Sequence, residues 1–203
     1  AAKLCGRWRN GVPLALSPNT DSPAGGISLE QLNDFEYVDS DGPGDPKGIR
    51  CPVGAHIRRV NPRGQPVAGQ GVPGGSNNSH RLMRCLLPYG PVYDPKQPYD
   101  GLERGILGYF INANIENQYE FVLRRWVNDS EFAGAVRLDP RSKDPLAGAQ
   151  DPADSIFVIP QARGRPPIEV TGLSIFVTTK AAAYVFLPSI TAIKFIASLA
   201  EDL

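Results

Sequence analysis

Histidine is scarce in this chain, so the two that are present, His56 and His80, are the first candidates for metal binding or proton transfer. His56 directly follows Gly54 and Ala55, whose small side chains would let a flat, bulky group approach the imidazole. Three arginines follow closely: Arg58, Arg59 and Arg63. Their guanidinium groups suit carboxylates or phosphates. A partly buried histidine beside a solvated basic turn is the plainer interpretation, and composition alone leaves both open.

The cysteines and the absence of two common motifs argue against several common kinds of metal-binding and catalytic site. The three cysteines, Cys5, Cys51 and Cys85, are an odd number at wide spacing without a C-x-x-C, which argues against a disulfide framework and a structural zinc site. The chain also lacks the G-x-x-x-x-G-K pattern of phosphate-binding loops and the G-x-S-x-G turn of many hydrolases. The cysteine usage favours a reducing compartment, and we expect a cytoplasmic protein.

Length and charge narrow the class of protein further. The chain has 203 residues with 21 basic and 21 acidic side chains, so no net charge attracts nucleic acid or an anionic membrane. Its apolar runs, such as residues 184–187, are far too short to span a bilayer. Residues 1–10 contain no recognisable secretion signal, and the sequence does not begin with Met. We therefore expect a processed or truncated piece of a longer protein, whose lost N-terminus would take any export signal with it.

The chain divides into a lead-in segment and one domain. Residues 1–47 are dominated by turn residues and are interpreted as a loop-rich, solvated lead-in with one short helix at Ser28–Phe35, capped by Ser28 and Gln31. Residues 48–203 form the predicted domain, in which Gly- and Pro-rich loops occupy residues 64–79 and 129–155.

The hydrophobic pattern of the domain predicts five strands and two helices. The strands are residues 81–87, 105–114, 155–159, 173–178 and 183–187. Apolar side chains recur at helical spacing over 115–127, and Pro188 opens a last helix with an apolar stripe. Strands separated by long helices predict an α+β fold, a ferredoxin-like antiparallel sheet with helices on one face.

Four segments, in order along the chain, resemble one known family. Residues 51–63 (CPVGAHIRRVNPR) resemble the haem-ligand segment of dye-decolorising peroxidases, and residues 80–90 resemble that family's distal-arginine strand. Residues 103–121 resemble the strand and helix that follow, and residues 176–189 resemble its C-terminal hairpin. The resemblance implies the C-terminal, haem-carrying half of a two-lobed, dimeric α+β barrel architecture.

The resemblance implies that His56 is the axial ligand of haem b and gives its neutral Nε2 to the iron. A ligating imidazole usually donates its other N–H to an acceptor, which raises the basicity of the ring. In the family this acceptor is an acidic residue further downstream. Residues 143–148 resemble the segment that carries it, which makes Asp144 the candidate. The alternative is that Asp144 only caps a turn before Pro145.

The resemblance also assigns the distal side of the haem. Arg84 is implied to be the distal arginine, whose fixed charge would hold peroxide and stabilise negative charge as the O–O bond breaks. The alternative for Arg84 is a surface charge on an edge strand. Ile106 and Gly108 fall where the family places apolar groups, and Gly108 replaces an aromatic residue, which should open the distal pocket.

Three further assignments stay open at this stage. The propionates could pair with one or more of Arg58, Arg59 and Arg63. His80 lies either near the haem edge or propionates or on the strand surface. Trp126 is either a core residue or a relay that passes an oxidising equivalent to the protein surface.

The resemblance implies a peroxidase that reduces H2O2 and oxidises bulky aromatic or phenolic donors. The acid–base carboxylate of the family lies in a G-x-x-D-G motif. This chain has two Asp-Gly pairs but lacks the motif, because the residue three positions before each Asp is Val38 or Gln97 and not glycine. We expect an N-terminal half, on a second chain or on a missing segment, to supply it. The alternatives are a non-catalytic haem-binding or haem-sensing half-domain and an interaction module without haem.

Overall fold

The structure, a computed structural model, describes residues 1–38, 44–67, 77–133, 138–162 and 164–201. The α-helices are α1 (Ala2–Cys5), α2 (His56–Val60) and α3 (Ile190–Glu201). The strands are β1 (Met83–Tyr89), β2 (Gly105–Ile111), β3 (Ile156–Ile159) and β4 (Ile168–Thr171). A π-helical segment (Glu116–Glu120 and Val122–Val127) follows β2, and 3₁₀ turns lie at Asn77–His80 and Ser130–Ala133. Helices combined with two antiparallel strand pairs confirm the predicted α+β class. The described residues form no closed barrel.

Strands β1 and β2 form a hairpin that presents the predicted distal residues. Their antiparallel register pairs Arg84 with Phe110 and Leu86 with Gly108. Both strands were predicted, but β2 ends at Ile111, because the residues after it turn into the cap of the following helix. Large apolar side chains on both faces of this hairpin are exposed.

Residues 116–127, called the central helix below, confirm the predicted helix. Its turns are wider than those of the α-helix that the spacing of apolar residues indicated. Its backbone bonds include the i−5 bond from Glu120 N to Ile115 O, at 3.0 Å, which is typical of a π-helix. The side chain of Asn114 caps the start by accepting a hydrogen bond from Asn117 N at 2.8 Å.

Two buried hydrophobic clusters hold the segment that carries His56. The first consists of Val53, Val67, Val122, Trp126, Val127, Phe132 and Ala133. The second consists of Leu14, Ala15, Phe35, Tyr37, Cys51 and Ala55. Because Val53 belongs to one cluster while Cys51 and Ala55 belong to the other, the chain is anchored on two sides immediately before α2.

The first 38 residues are not the solvated lead-in that their turn residues predicted, because Leu14 and Tyr37 are buried in the second cluster. The predicted helix at Ser28–Phe35 is also wrong. Ser28 and Gln31 exchange the expected capping hydrogen bonds, but only turns follow them. The ring of Phe35 packs edge-on against Tyr37, 5.5 Å between centroids, and this packing takes the chain into the core. The domain boundary at residues 47 and 48 stays a prediction.

The second strand pair corrects the prediction for the C-terminal third. Strand β3 confirms the strand predicted at 155–159, whereas its partner β4 was not predicted. The strands predicted at 173–178 and 183–187 are wrong, since neither segment pairs with another in the described residues. Apolar alternation indicates a surface to be covered, but a strand also requires a partner backbone.

The predicted loops are folded where the structure describes them. Residues 68–76 of the first and 134–137 of the second lie outside the described ranges. In the second loop, Asp144 N donates a hydrogen bond to Val127 O at 2.7 Å, which ties this loop to the end of the central helix.

Helix α3 confirms the last predicted helix and begins two residues after Pro188. Ser189 caps it by accepting a hydrogen bond from Ala192 N at 3.1 Å. The apolar stripe of α3 is exposed, as is that of the β1–β2 hairpin. Apolar surface of this extent is typical of a face that another part of a protein covers. No helix in the described ranges has both the length and the apolar composition that crossing a bilayer requires.

Candidate functional site

His56 is the first residue of α2, and its side chain remains 30% exposed. Its Nδ1 lies 2.9 Å from Asp144 Oδ2 and 3.1 Å from Asp144 Oδ1. Since a carboxylate accepts hydrogen bonds, Nδ1 of the neutral ring carries the hydrogen and Nε2 keeps its lone pair. Within the described residues nothing bonds to Nε2, so this nitrogen is available to a ligand.

Asp144 holds the histidine and shapes its own loop at the same time. Its carboxylate is buried, and Oδ1 also accepts hydrogen bonds from Leu146 N and Ala147 N, each at 2.9 Å. These two bonds form the turn that the simpler interpretation of Asp144 predicted. The turn and the contact with His56 therefore coexist, and the turn fixes the direction in which the carboxylate points.

The surroundings of Asp144 favour its ionised form. Burial by itself would raise the pKa of this carboxyl group. The hydrogen bond from His56, together with the N–H groups of Ala147 and Leu146, outweighs burial and holds the pKa below its usual value. His56 thus faces an anionic acceptor, which makes the imidazole a stronger electron donor than a neutral acceptor would.

Arg59 connects α2 to the loop that carries Asp144. Its buried guanidinium donates hydrogen bonds to the carbonyl oxygens of Trp126 at 2.7 Å, Asp129 at 2.9 Å and Ser142 at 3.1 Å. Burial lowers the pKa of Arg59 to about 10, against the attraction of Asp144 and Asp129, so the group stays charged at neutral pH. Arg59 therefore positions the loop and adds a positive charge near Asp144.

Arg58 binds protein groups on the other side of α2. It donates hydrogen bonds to Asp45 Oδ2 at 3.1 Å and to Cys51 O at 2.6 Å, and its guanidinium lies 4.5 Å from the ring centre of Tyr37. Asp45 in turn accepts hydrogen bonds from the backbone N–H groups of residues 49–51. This buried network fixes the chain just before His56. Neither Arg58 nor Arg59 extends a free guanidinium towards solvent.

The β1–β2 hairpin brings the predicted distal residues to one face. Side chains alternate along a strand and cross-strand partners share a face, so Arg84, Leu86, Ile106, Gly108 and Phe110 point to the same side. Arg84 is exposed and forms no ion pair with the described residues. This face turns towards the central helix, because the Phe110 ring lies 5.2 Å from that of Tyr119. The central helix also contacts α2, which starts at His56.

The space beside Gly108 is not open, contrary to the expectation from its missing side chain. A Cβ at this position would lie 2.9 Å from Cε2 of Phe110 and 3.2 Å from Cδ2 of Leu86. Phe110 was missed by the sequence analysis. Its position two residues after Gly108, on the same face of the strand, was the signal that could have found it.

The remaining candidates fall in three different environments. Arg63, at the end of the α2 region, is half-buried and lies over the ring of Phe35, 3.9 Å from its centre. His80 donates through Nδ1 to Asn117 O at 2.6 Å, and its ring stacks on Phe121. Trp126 is buried in the first hydrophobic cluster, as its core interpretation predicted.

The described residues hold no cluster of three or more His, Cys, Asp or Glu side chains that could bind a metal ion. A metal site built from side chains alone therefore has no candidate in those ranges. His56 is instead suited to be the single protein ligand of a metal that a cofactor carries, since one nitrogen is held and the other is free.

Known proteins with a similar sequence are dye-decolorizing peroxidases. The chain is 32% identical over 157 residues to a dye-decolorizing peroxidase of Mycena epipterygia, an alignment of 72% of this chain and 28% of the relative. It is 29% identical to the dye-decolorizing peroxidase msp1 of Mycetinis scorodonius, over 98% of this chain and 39% of the relative. A solved dye-decolorizing peroxidase in complex with 2,6-dimethoxyphenol superposes with a TM-score of 0.64 at 27% identity, over 86% of this chain and 37% of the other. No family model matches the chain.

The chain belongs to the dye-decolorising peroxidase family. It spans between about a quarter and two fifths of the length of these relatives. A second solved member, DyP2 from Amycolatopsis, superposes with a TM-score of 0.61 at 28% identity. The predicted α+β, ferredoxin-like fold is thereby confirmed.

The side chains present fit the haem that membership of the dye-decolorising peroxidase family implies. His56 has a fixed ring with Nε2 free, and the carboxylate of Asp144 supplies the acceptor behind it. The Arg84 face of the hairpin offers exposed apolar side chains beside one guanidinium that forms no ion pair with the residues that the structure describes. An apolar wall with a single cation suits a flat, largely apolar group with a reactive centre.

Proposed function

We propose that this chain is the haem-binding part of a dye-decolorising peroxidase, which reduces H2O2 and oxidises aromatic or phenolic donors. The observation that carries the proposal is the hydrogen bond from His56 Nδ1 to the buried Asp144 carboxylate, at 2.9 Å, with Nε2 left free. Family membership supports it, because the relatives are named as peroxidases. A relative solved with 2,6-dimethoxyphenol supports a phenolic donor.

His56 is the residue that would bind the haem iron, through Nε2. When bound, haem b supplies the iron centre at which H2O2 is reduced and to which the donor returns electrons. Asp144 accepts the Nδ1 hydrogen, holds the ring in one tautomer and raises its basicity. Arg59 keeps the loop of Asp144 against α2 and thus maintains the distance between the two side chains.

Arg84 is the proposed residue for peroxide. Its guanidinium, unpaired in the described part of the chain, would donate hydrogen bonds to the peroxide oxygens. It would also stabilise the negative charge that develops as the O–O bond breaks. Ile106 and Phe110, on the same face, would keep water away from the reacting atoms.

Arg63 is the proposed partner of a haem propionate. Arg58 and Arg59 are both fully buried and bonded to protein groups, so an external carboxylate does not reach either guanidinium. Arg63 is partly accessible, and its guanidinium lies over the face of Phe35, so that no side chain in the described ranges occupies the N–H groups at its edge. His80 is held by Asn117 through Nδ1, which leaves Nε2 as its only site for a propionate or for water.

The acid–base carboxylate is proposed to come from an N-terminal half of the fold. The G-x-x-D-G motif is missing from this chain, and none of the described carboxylates pairs with Arg84. Such a group would take a proton from one peroxide oxygen and deliver it to the other, and its loss typically costs about 10²–10⁴-fold in rate. The exposed apolar residues of the β1–β2 hairpin and α3 would be covered by the same half.

A haem carrier or sensor is the second candidate, favoured by the missing G-x-x-D-G motif. Such a protein would bind haem through His56 with the same geometry. It would differ in its reaction with stoichiometric H2O2, which should be slow even with an N-terminal half present. A rapid reaction followed by oxidation of a phenolic donor would argue for the peroxidase.

The first experiment compares the two histidines in protein reconstituted with haem. His56→Ala should lose the Soret band of histidine-ligated haem, whereas His80→Ala should keep it. The reverse result, or an unchanged band in His56→Ala, would remove the ligand assignment. Arg84→Leu should retain the band and slow the reaction with H2O2 by roughly 10²–10³-fold. A protein that stays colourless when haem is supplied would contradict both proposed functions.

A further inference from the structure

Gly108 and Phe110 form a packed pair on the face of the hairpin that carries Arg84. The ring of Phe110 lies over the Cα of Gly108, with Cε2 at 2.9 Å and Cζ at 3.3 Å from the position of a Cβ. Leu86, the cross-strand partner of Gly108, closes the other side at 3.2 Å. Any side chain at position 108 would displace these groups, so glycine is the residue that permits this ring position.

The ring of Phe110 is also held from the helix side. It contacts the ring of Tyr119 on the central helix, with 5.2 Å between centroids and 46° between planes. Aromatic pairs at such separations are attractive beyond the area that they bury. Tyr119 in turn packs edge-on against Tyr184, 6.3 Å away. Phe110 is therefore braced between hairpin and helix, even though 39% of its surface remains exposed.

Phe110 is the cross-strand neighbour of Arg84, which is the proposed binding group for peroxide. Cross-strand neighbours have Cβ atoms about 4.5–5.5 Å apart. A molecule that approaches the guanidinium along this face therefore comes close to the ring.

We propose that Phe110, held over Gly108, limits the size of the molecules that reach the haem on the Arg84 side. Peroxide and other ligands of two or three heavy atoms pass the ring, whereas ring-shaped ligands such as imidazole are hindered. Aromatic donors would then be oxidised from outside this face. This inference rests on the proposed function, since it concerns the approach to a bound haem.

The position of the ring is tested first, in protein without haem. Gly108→Ala should lower the melting temperature of the unmodified protein, because the new methyl group displaces the Phe110 ring. In a Phe110→Ala background the same substitution should be neutral or stabilising, and we expect the two shifts to differ by roughly 2–4 °C. Equal shifts in both backgrounds would mean that the ring does not lie over Gly108, and would overturn the proposal.

The size limit is tested in haem-reconstituted protein with cyanide and imidazole, read from the Soret shift. Phe110→Ala should tighten imidazole binding roughly tenfold and leave cyanide binding nearly unchanged. The control is Tyr109→Ala, an exposed aromatic residue on the opposite face of the same strand, which should change neither affinity. If the two ligands respond equally to Phe110→Ala, or if Tyr109→Ala acts in the same way, the size limit is wrong while the haem assignment stands. Failure of the unmodified protein to bind haem would instead contradict the proposed function itself.

Discussion

The carboxylate of Asp144 meets the imidazole of His56 across 88 positions of sequence, with 2.9 Å between Oδ2 and Nδ1. The contact is fixed from both ends, since Asp144 is tied down by its own turn and His56 by the two hydrophobic clusters that flank its segment. A pair held in this way can tune the electron donation of the histidine without moving.

Replacing the carboxylate of Asp144 should weaken the proposed haem ligand. In haem-reconstituted protein we expect Asp144→Asn to cost about 10–100-fold in haem affinity or in peroxidase activity, the usual range for a residue behind a metal ligand. Asp139→Asn is the matched control, because Asp139 belongs to the same loop but pairs with Arg141 at the surface. Haem titration and turnover of a phenolic donor measure the effect, and equal losses in the two variants would contradict it.

The stability of the haem-free protein should depend on Asp144 in a defined pH range. The pKa of this carboxyl group is lower in the folded chain than its ordinary value of 3.8. A lowered pKa contributes stability that is fully present above pH 3.8 and is lost as the pH falls through the folded value. The difference in unfolding free energy between the unmodified protein and Asp144→Asn should thus shrink as the pH falls below 4. Urea unfolding at fixed pH values tests this, and a difference that grows in acid would show the opposite sign.

Loss of the Arg59 guanidinium should destabilise the fold. Arg59→Met removes donors to three backbone carbonyls and leaves them buried, so we expect a loss of about 3–5 kcal/mol in the free energy of unfolding. The control is Arg125→Met, because Arg125 forms an exposed ion pair with Asp129 that is worth about 0–1 kcal/mol. Chemical denaturation of the haem-free protein measures both, and similar losses would show that Arg59 does not join α2 to the loop.

The cysteines should differ sharply in reactivity. Burial raises the pKa of the Cys51 thiol to about 12, whereas Cys85 is exposed on β1. Iodoacetamide at pH 8 should therefore label Cys85 in the folded protein and Cys51 only after unfolding. Because Cys85 lies on the face opposite to Arg84, labelled protein should still take up haem. Mass spectrometry locates the label, and rapid labelling of Cys51 or a block of haem uptake would contradict this arrangement.

Local patterns predicted those parts of the fold in which neighbouring residues decide the structure. The spacing of apolar residues over 115–127 and the apolar stripe after Pro188 both predicted helices that the structure contains. The Ser28–Gln31 pair shows the limit of such signals. Its capping bonds form, yet Phe35 gains more by packing against Tyr37 than by continuing a helix.

The sequence by itself determined the family, the α+β class and the identity of the residues that could hold a haem, because residue types and their order are local information. Only the tertiary structure decided which of the neighbouring arginines are buried. Arg58 and Arg59 are adjacent to His56 in sequence, but their partners lie in distant segments around Asp45, Trp126 and Ser142. The same holds for Phe110 over Gly108, since the position of a ring depends on the strand and the helix that pack against it.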